Sequence, residues 1–524
     1  MATSDKIPVL QGITKKITIT LFIFFIFWNL ITYQIYDSEI INSPIFDDNV
    51  KIVTSIITST NVITSTQVIK QEESPSSTIF KVAVVTETKT KTKFATKTSE
   101  ILISSTKVDP QEIEKMQETL IDDPDHYEKQ DELINQKYCG STECKFIFPF
   151  HPPEQETQCN KHFLSFVQLA EKINRTVVLT NVGDSRIWSV RLFPFNFYYD
   201  VDELRDRFPK LKFITQEDFQ DWCRERYIKP QAYFGKLLNI EPKFTVRNLS
   251  PFGGLLTKLE RENKFYEFDF IFNNNSLFRQ FNIGTRRVWG KTREKDTMIK
   301  FLQRELNVKE EVMLITHNIR SPLFEKLIPI SYAKHLVNSA NRVIKNQLNN
   351  RYIGIHWRME KGEIELMSDC AYRLVNYIKN LTESTGISKI YFATDYPISG
   401  NSSQAQSDTF HKIFPEHREA FEIVKEGIDV ETWVSTSALE YLHKYPELSF
   451  AVEDELRKGG VQGIMDKLIL VQSNFFISGP IGCCRYSSTF TQKIAESRRR
   501  LINEGDKRIE NLVDRWDGSK PYHI

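Results

Sequence analysis

YIGIHWRMEKG, residues 352–362, is the stretch whose reading decides the fold. Tyr352 to His356 reads as a strand, and Trp357 to Gly362 follows at its carboxyl end with a charged loop. Downstream the theme repeats. Asp369 to Leu381 has the spacing of an amphipathic helix, and Lys389 to Thr394 that of a second strand. Met465 to Val471 reads as a helix, Asn474 to Ser478 as a third strand, and a further helix starts at Thr489. Strands alternating with helices predict a Rossmann-type half-domain with a parallel sheet.

Upstream, Phe163, Phe166, Val167, Ala170 and Ile173 recur at helical spacing and feed a strand at Thr176 to Thr180. That is a second α/β unit. Between Phe197 and Lys345 the patterning is mixed and predicts no order of elements.

The 524 residues carry 69 basic and 68 acidic side chains, a net charge of +1, which speaks against a nucleic-acid partner. The 37 phenylalanines argue for a folded core. Ile17 to Tyr36 is long enough to span a bilayer as a helix. Lys15 and Lys16 precede it and Asp37 and Glu39 follow, so the positive-inside rule places the short N-terminus in the cytosol and the rest in the lumen. A bulky sequence after the apolar run favours an uncleaved anchor over a signal peptide. Ser, Thr and Lys dominate from about 50 to 108, as expected of a flexible stem. The layout is therefore a cytosolic tail (1–16), an anchor (17–36), a stem and linker (37–136), two α/β halves (137–345 and 346–505) and a C-terminal tail (506–524). It is that of a single-pass type II Golgi protein, with the ER membrane as the alternative.

Sequons at Asn174, Asn248, Asn274, Asn380 and Asn401 all fall on the expected luminal side. Seven cysteines allow at most three internal bridges, and Cys139 with Cys144 is suited to closing a small hairpin. Their spacing gives no zinc motif. Asp123-Pro-Asp125 and Asp200-Val-Asp202 have the form of a metal-binding pair. They fall in a polar linker and before a helix-like run, so no metal is expected.

In an open α/β sheet, ligands gather at the carboxyl ends of the strands. Arg358 ends the first strand there, and its planar fork suits a phosphate, or else a structural pairing with Glu360. Asp395 ends the second strand, placed either to bond a base or ribose or to cap a turn. The third strand leads through Ser478-Gly-Pro-Ile-Gly to a helix start at Ser487, Ser488, Thr489 and Phe490. Free N–H groups and the macrodipole make such a start an anion site.

Three strand ends in this order resemble the protein O-fucosyltransferase superfamily. The likeness lies in Gly354-Ile-His-Trp-Arg-Met-Glu, Phe392-Ala-Thr-Asp395, Asp466 with Phe475-Phe-Ile-Ser-Gly, Ser487-Ser-Thr-Phe-Thr and Arg498. A further island runs from Cys159-Asn-Lys-His-Phe-Leu to Lys172-Ile-Asn-Arg-Thr-Val-Val-Leu. The resemblance implies a GT-B fold, two Rossmann-like halves facing a donor cleft, and metal-independent inverting transfer of L-fucose from GDP-fucose to a glycan or glycoprotein. It implies that Arg358 holds the β-phosphate, that His356 lines the donor pocket, and that Asp395 and Asp466 shape the nucleotide side. Ser487 to Phe490 would cradle the diphosphate and guanine. The family's glycine-rich first loop is replaced by Pro153 to Gln158. Glu154 falls where some members place a base, and Thr157 or Gln158 stands where they place an asparagine. The altered loop leaves two alternatives: a same-fold transferase using another nucleotide sugar, or a non-catalytic, membrane-tethered sugar-binding protein.

Overall fold

In a computed structural model of the chain the described residues are 57–59, 62–69, 81–90, 93–99, 124–249, 252–272, 278–285, 292–319, 321–324, 328–398, 410, 412–436, 442, 449–456, 458–484 and 488–519. The chain divides into two compact units, Met1–Ile121 and Asp122–Ile524. The expected tail and anchor, 1–36, lie outside the described residues. Among the described residues, no helix is long and apolar enough to cross a membrane.

The described part of the first unit is four antiparallel strands in sequence order, Ile57–Ser59, Val62–Ile69, Lys81–Thr90 and Lys93–Ser99. These strands lie within the stretch expected to be a flexible stem. Thr and Val are stiff, extended-favouring residues, and here each strand finds its neighbour as partner. Val62–Ile69 pairs along its whole length with Lys81 to Thr88.

The second unit opens with α1 (Pro124–Cys139), β1 (Phe146–Phe148), α2 (Glu156–Ile173), β2 (Thr176–Leu179) and β3 (Phe213–Thr215). Next come β4 (Gln231–Leu238), β5 (Phe244–Asn248), β6 (Arg279–Ile283), β7 (Val312–Asn318) and α3 (Lys334–Asn346). Their sheet has the order β5-β6-β4-β7-β1-β2-β3, parallel except where β5 runs against β6. Most of these strands fall in the stretch whose patterning is mixed. The folded half reaches past the expected start at 137, because Asn135 on α1 accepts from the buried Trp222 Nε1 at 2.8 Å.

A second sheet is built from β8 (Ile353–Trp357), β9 (Ile390–Thr394), β10 (Phe475–Ser478) and β11 (Asp514–Arg515), in the order β9-β8-β10-β11 and parallel throughout. Its helices include α4 (Met367–Thr385), α5 (Gly459–Gln472) and α6 (Thr489–Asn503). Ile353, Ile355 and Trp357 share a buried cluster with Cys370, Leu374 and Ile378 of α4. Gly354 faces the other way, where a Cβ would lie 2.8 Å from Leu470 Cδ2 and 2.9 Å from Ser473 Oγ, so the close approach of α5 requires glycine. Arg498, fully buried, donates to the carbonyls of Leu470, Ser473, Asn474 and Asn511 at 2.6–3.2 Å, and so closes the end of α5. One apolar core runs from the first sheet and α2 (Leu237, Met313, Phe163) into the second sheet and α5 (Tyr391, Phe476, Ile464).

The chain after residue 505 is not simply a tail. β11 extends the second sheet, and Trp516 meets Trp357 edge-on, with ring centres 5.4 Å apart. Disulfides join Cys139 to Cys144 and Cys370 to Cys483. Asp200 caps the short helix Val201–Arg207, its carboxylate accepting from the N–H groups of Asp202 and Glu203, which is a structural use of that acidic pair.

Candidate active site

Register brings the predicted strand ends to one edge. Trp357 pairs with Thr394 and His356 with Ser478, so Arg358, Asp395 and the chain after Ser478 emerge side by side. Asp395 accepts from the backbone N–H of Met359 at 2.7 Å and of Glu360 at 3.2 Å, which pins the turn carrying Arg358. Burial raises the Asp395 carboxyl to about 7, against the pull of the Met359 N–H and the Arg358 charge. Arg358 donates through Nε and Nη2 to Glu360 Oε1, at 3.0 and 2.6 Å, with Asp395 Oδ2 4.0 Å from Nε. Of the two readings of Arg358, the structure shows the pairing with Glu360, and it places the residue at the carboxyl end of its strand. Its side chain is 15% exposed while that of Glu360 is wholly buried, so the guanidinium faces outward from an internal counter-charge.

His356 lies beside this turn. Its Nδ1 is 2.9 Å from Thr491 Oγ1, and its ring centre is 4.7 Å from that of Phe490. Burial, then the Arg358 charge, holds the imidazole down at about 3, so it is neutral at physiological pH. Ser488 is the N-cap of α6 and accepts from the Thr491 N–H at 3.3 Å. Thr489 is exposed, and Phe490 half-buried. Ser487 lies outside the described residues. The Cys370–Cys483 bridge braces the same edge, where the Trp357 Nε1–H donates to the Cys483 carbonyl at 2.7 Å and the Glu363 N–H to that of Gly482 at 2.6 Å.

The altered first loop follows β1 and starts α2. Glu154 is exposed and sits in the left-handed region at φ 70°, a conformation natural to glycine. Its carbonyl accepts from Arg186 Nη1 at 3.3 Å. The buried carboxylate of this loop is instead Glu156, whose partners are Lys467, Tyr332 and Thr157. Gln158 Oε1 is buried and has no hydrogen-bond partner among the described residues. Asp466 accepts from the Tyr391 hydroxyl at 2.6 Å inside the core, and burial raises it to about 7, so the structure joins it to the scaffold of β9 rather than to Arg358. Thr491, Glu156, Tyr332 and Lys467 also stand at or beside the site, and sequence reasoning does not single them out. Only Thr491 has a local sequence signal, as the last residue of Ser487-Ser-Thr-Phe-Thr. Among the sequons, Asn174, Asn248 and Asn380 are exposed, and Asn274 and Asn401 lie outside the described residues.

A guanidinium, a neutral imidazole and a helix start thus lie together at the carboxyl ends of adjacent parallel strands in an α/β protein. A profile of the GDP-fucose protein O-fucosyltransferase family matches residues 157–501. That is more than half of the chain, which belongs to this family and is a fucosyltransferase. No curated protein matches it. Among solved structures, POFUT1 in complex with GDP-fucose is 13% identical over 68% of this chain and 94% of that one, with a TM-score of 0.37. POFUT1 in complex with GDP is 14% identical over the same shares, 68% and 94%, with a TM-score of 0.35. The fucosyltransferase NodZ from Bradyrhizobium is 12% identical over 67% and 92%, with a TM-score of 0.32.

Proposed function

We propose that the chain transfers L-fucose from GDP-fucose to a hydroxyl of a glycoprotein or glycan in the secretory lumen, with inversion at the anomeric carbon. The observation that carries this reading is the juxtaposition of Arg358, His356 and the Ser488 helix start on one strand edge, inside the span that matches the family. In this reading the two sheets are the halves of a GT-B fold, and the donor lies against the second.

Negative charge grows on the departing diphosphate as the bond from its oxygen to the anomeric carbon breaks. Fixed donors aimed at that charge lower the barrier. Arg358, oriented by Glu360 and by the turn that Asp395 pins, supplies a charged fork. The first N–H groups of α6 supply dipoles. The acceptor hydroxyl attacks from the opposite face and gives its proton to a base on the first half, for which Glu154, exposed at the loop, is the candidate. GDP then leaves.

The luminal setting draws support from the two disulfides, which suit an oxidising compartment, and from the exposed Asn174, Asn248 and Asn380. Ile17 to Tyr36 would be the anchor and the Golgi the site of residence. Donor choice is tested by thermal shift with GDP-fucose, GDP-mannose and UDP-sugars. Stabilisation by GDP-fucose above the others is expected, and equal or greater stabilisation by another sugar nucleotide would overturn it. Glycosidase-sensitive mobility of the full chain expressed in cells tests the lumen, and an unshifted band refutes it.

A further inference from the structure

A buried polar knot joins the two halves beside the site. Lys467 of α5 pairs with Glu156, and its Nζ donates to Thr157 Oγ1 at 3.0 Å and to the Tyr332 hydroxyl at 2.6 Å. That hydroxyl in turn donates to the other Glu156 oxygen at 2.8 Å. Glu156 and Thr157 start α2, and Tyr332 precedes α3, all on the first half. Lys467 belongs to the second. The knot borders a cavity of about 310 Å³ whose wall also includes Lys493 and Arg500.

A buried pair adds little net stability, because desolvation of both charges offsets their attraction. What separates this knot from an ordinary structural ion pair is that its ammonium lies against the site. Lys467 Nζ lies 5.6 Å from the Phe490 ring centre, and that ring in turn packs on His356 at 4.7 Å. The cation is thus held from one side by three groups of the first half and rests on the other against an aromatic ring at the start of α6. A lysine tethered at three points has few rotamers left, so the ring it covers is restrained as well.

We propose that Lys467, clamped by Glu156, Thr157 and Tyr332, is a positioning residue that fixes Phe490 against His356 and thereby sets the affinity for the nucleotide-sugar donor. The proposal rests on the reading that the α6 start receives the donor.

The test replaces the pair by apolar residues of similar size, Glu156→Leu with Lys467→Met, in the full chain. Such exchanges of buried pairs are often neutral or stabilising, so the melting temperature is expected to hold within a few degrees. The KM for GDP-fucose is expected to rise about 3- to 30-fold with kcat changed far less, as loss of a partly buried cation–π contact implies. Hydrogen exchange at the amides of Phe490 and Thr491, measured without donor, is expected to quicken by a similar factor. A purely structural pair would leave KM and exchange unchanged while the fold is intact, and that result overturns the proposal. If the double variant does not fold, Lys467→Arg and Lys467→Gln decide. Arg keeps the charge over the ring and is expected to keep KM near wild type, whereas Gln raises it. Equal KM values for the two overturn the proposal. If the wild type takes no GDP-fucose, the donor reading fails by itself, and the exchange data still decide whether Lys467 fixes the helix start.

Discussion

Arg358→Lys separates a fork from a point charge. In the structure the guanidinium directs Nε and Nη2 at Glu360 Oε1, at 3.0 and 2.6 Å, and still has a further nitrogen in the same plane. A lysine has one nitrogen at the end of a flexible stem. It can neutralise the buried Glu360, which should keep the fold, or it can reach an anion at the strand edge, but it does not do both in a fixed geometry. The loss is at least one charge-assisted hydrogen bond to the leaving group, about 1.5–3 kcal/mol, or roughly 10- to 150-fold in kcat/KM. Because the contact strengthens as charge develops, the value should lie toward the upper end, about 100-fold, and mostly in kcat. The assay is GDP release from GDP-fucose, with acceptor or with water, paired with a thermal melt. Turnover within about threefold of wild type at an unchanged melting temperature would refute the reasoning, because Arg358 would then serve only Glu360.

Two further outcomes follow from the same edge. Asp395 has a folded-state value of about 7 against an ordinary 3.8, so the protonated form is favoured by folding, and the stability it contributes is full below 3.8 and lost as pH rises to about 7. Asp395→Asn should therefore gain melting temperature relative to wild type between pH 4 and 7. Its activity should be low but should lack the wild-type fall on acidification through about 7, where protonation weakens the hold on the Met359 and Glu360 amides. A parallel pH dependence in both proteins would count against this role. Cys370→Ser with Cys483→Ser opens a bridge across 113 residues, which chain-entropy reasoning values at about 4–5 kcal/mol and practice at about 2–4 kcal/mol. A lowered melting temperature and a raised KM for donor are expected, whereas an unaltered KM would show that the bridge does not brace the site.

The second half is readable because each of its first three strands is a mostly apolar, almost wholly buried run of four or five residues, bounded by helices with clear periodicity. Tyr352 to His356, Lys389 to Thr394 and Asn474 to Ser478 agree with β8, β9 and β10 to within one residue at each end. The first half is opaque for a physical reason. β1 and β3 have three residues each, and β5 is an antiparallel edge strand with half-exposed positions, so neither period nor run length marks them. β11 has two residues and takes its stability from Trp516 on Trp357, a contact across more than 150 positions that no local pattern carries. The site divides along the same line. Arg358, His356, Asp395 and Ser488 stand at strand ends or a helix start, where position alone suggests a role. Glu156, Tyr332 and Lys467 come from three distant segments, and only packing shows that they meet. Glu154 draws attention through its place in the loop, yet its side chain is exposed and its backbone takes a turn that would suit glycine better.

The Cys370–Cys483 bond also acts as a covalent shortcut. Its two ends lie just beyond the Arg358 turn and just before the α6 start, so the two walls of the edge are neighbours through sulfur although 113 positions separate them along the backbone. Cutting or lengthening the chain anywhere between those cysteines leaves that tie in place. A break or an insertion within 371–482, outside α4, β9, the helix Pro415–Gly427, α5 and β10, would therefore leave the two walls joined. A protein nicked between the two cysteines should run as one species on a denaturing gel until a reductant is added.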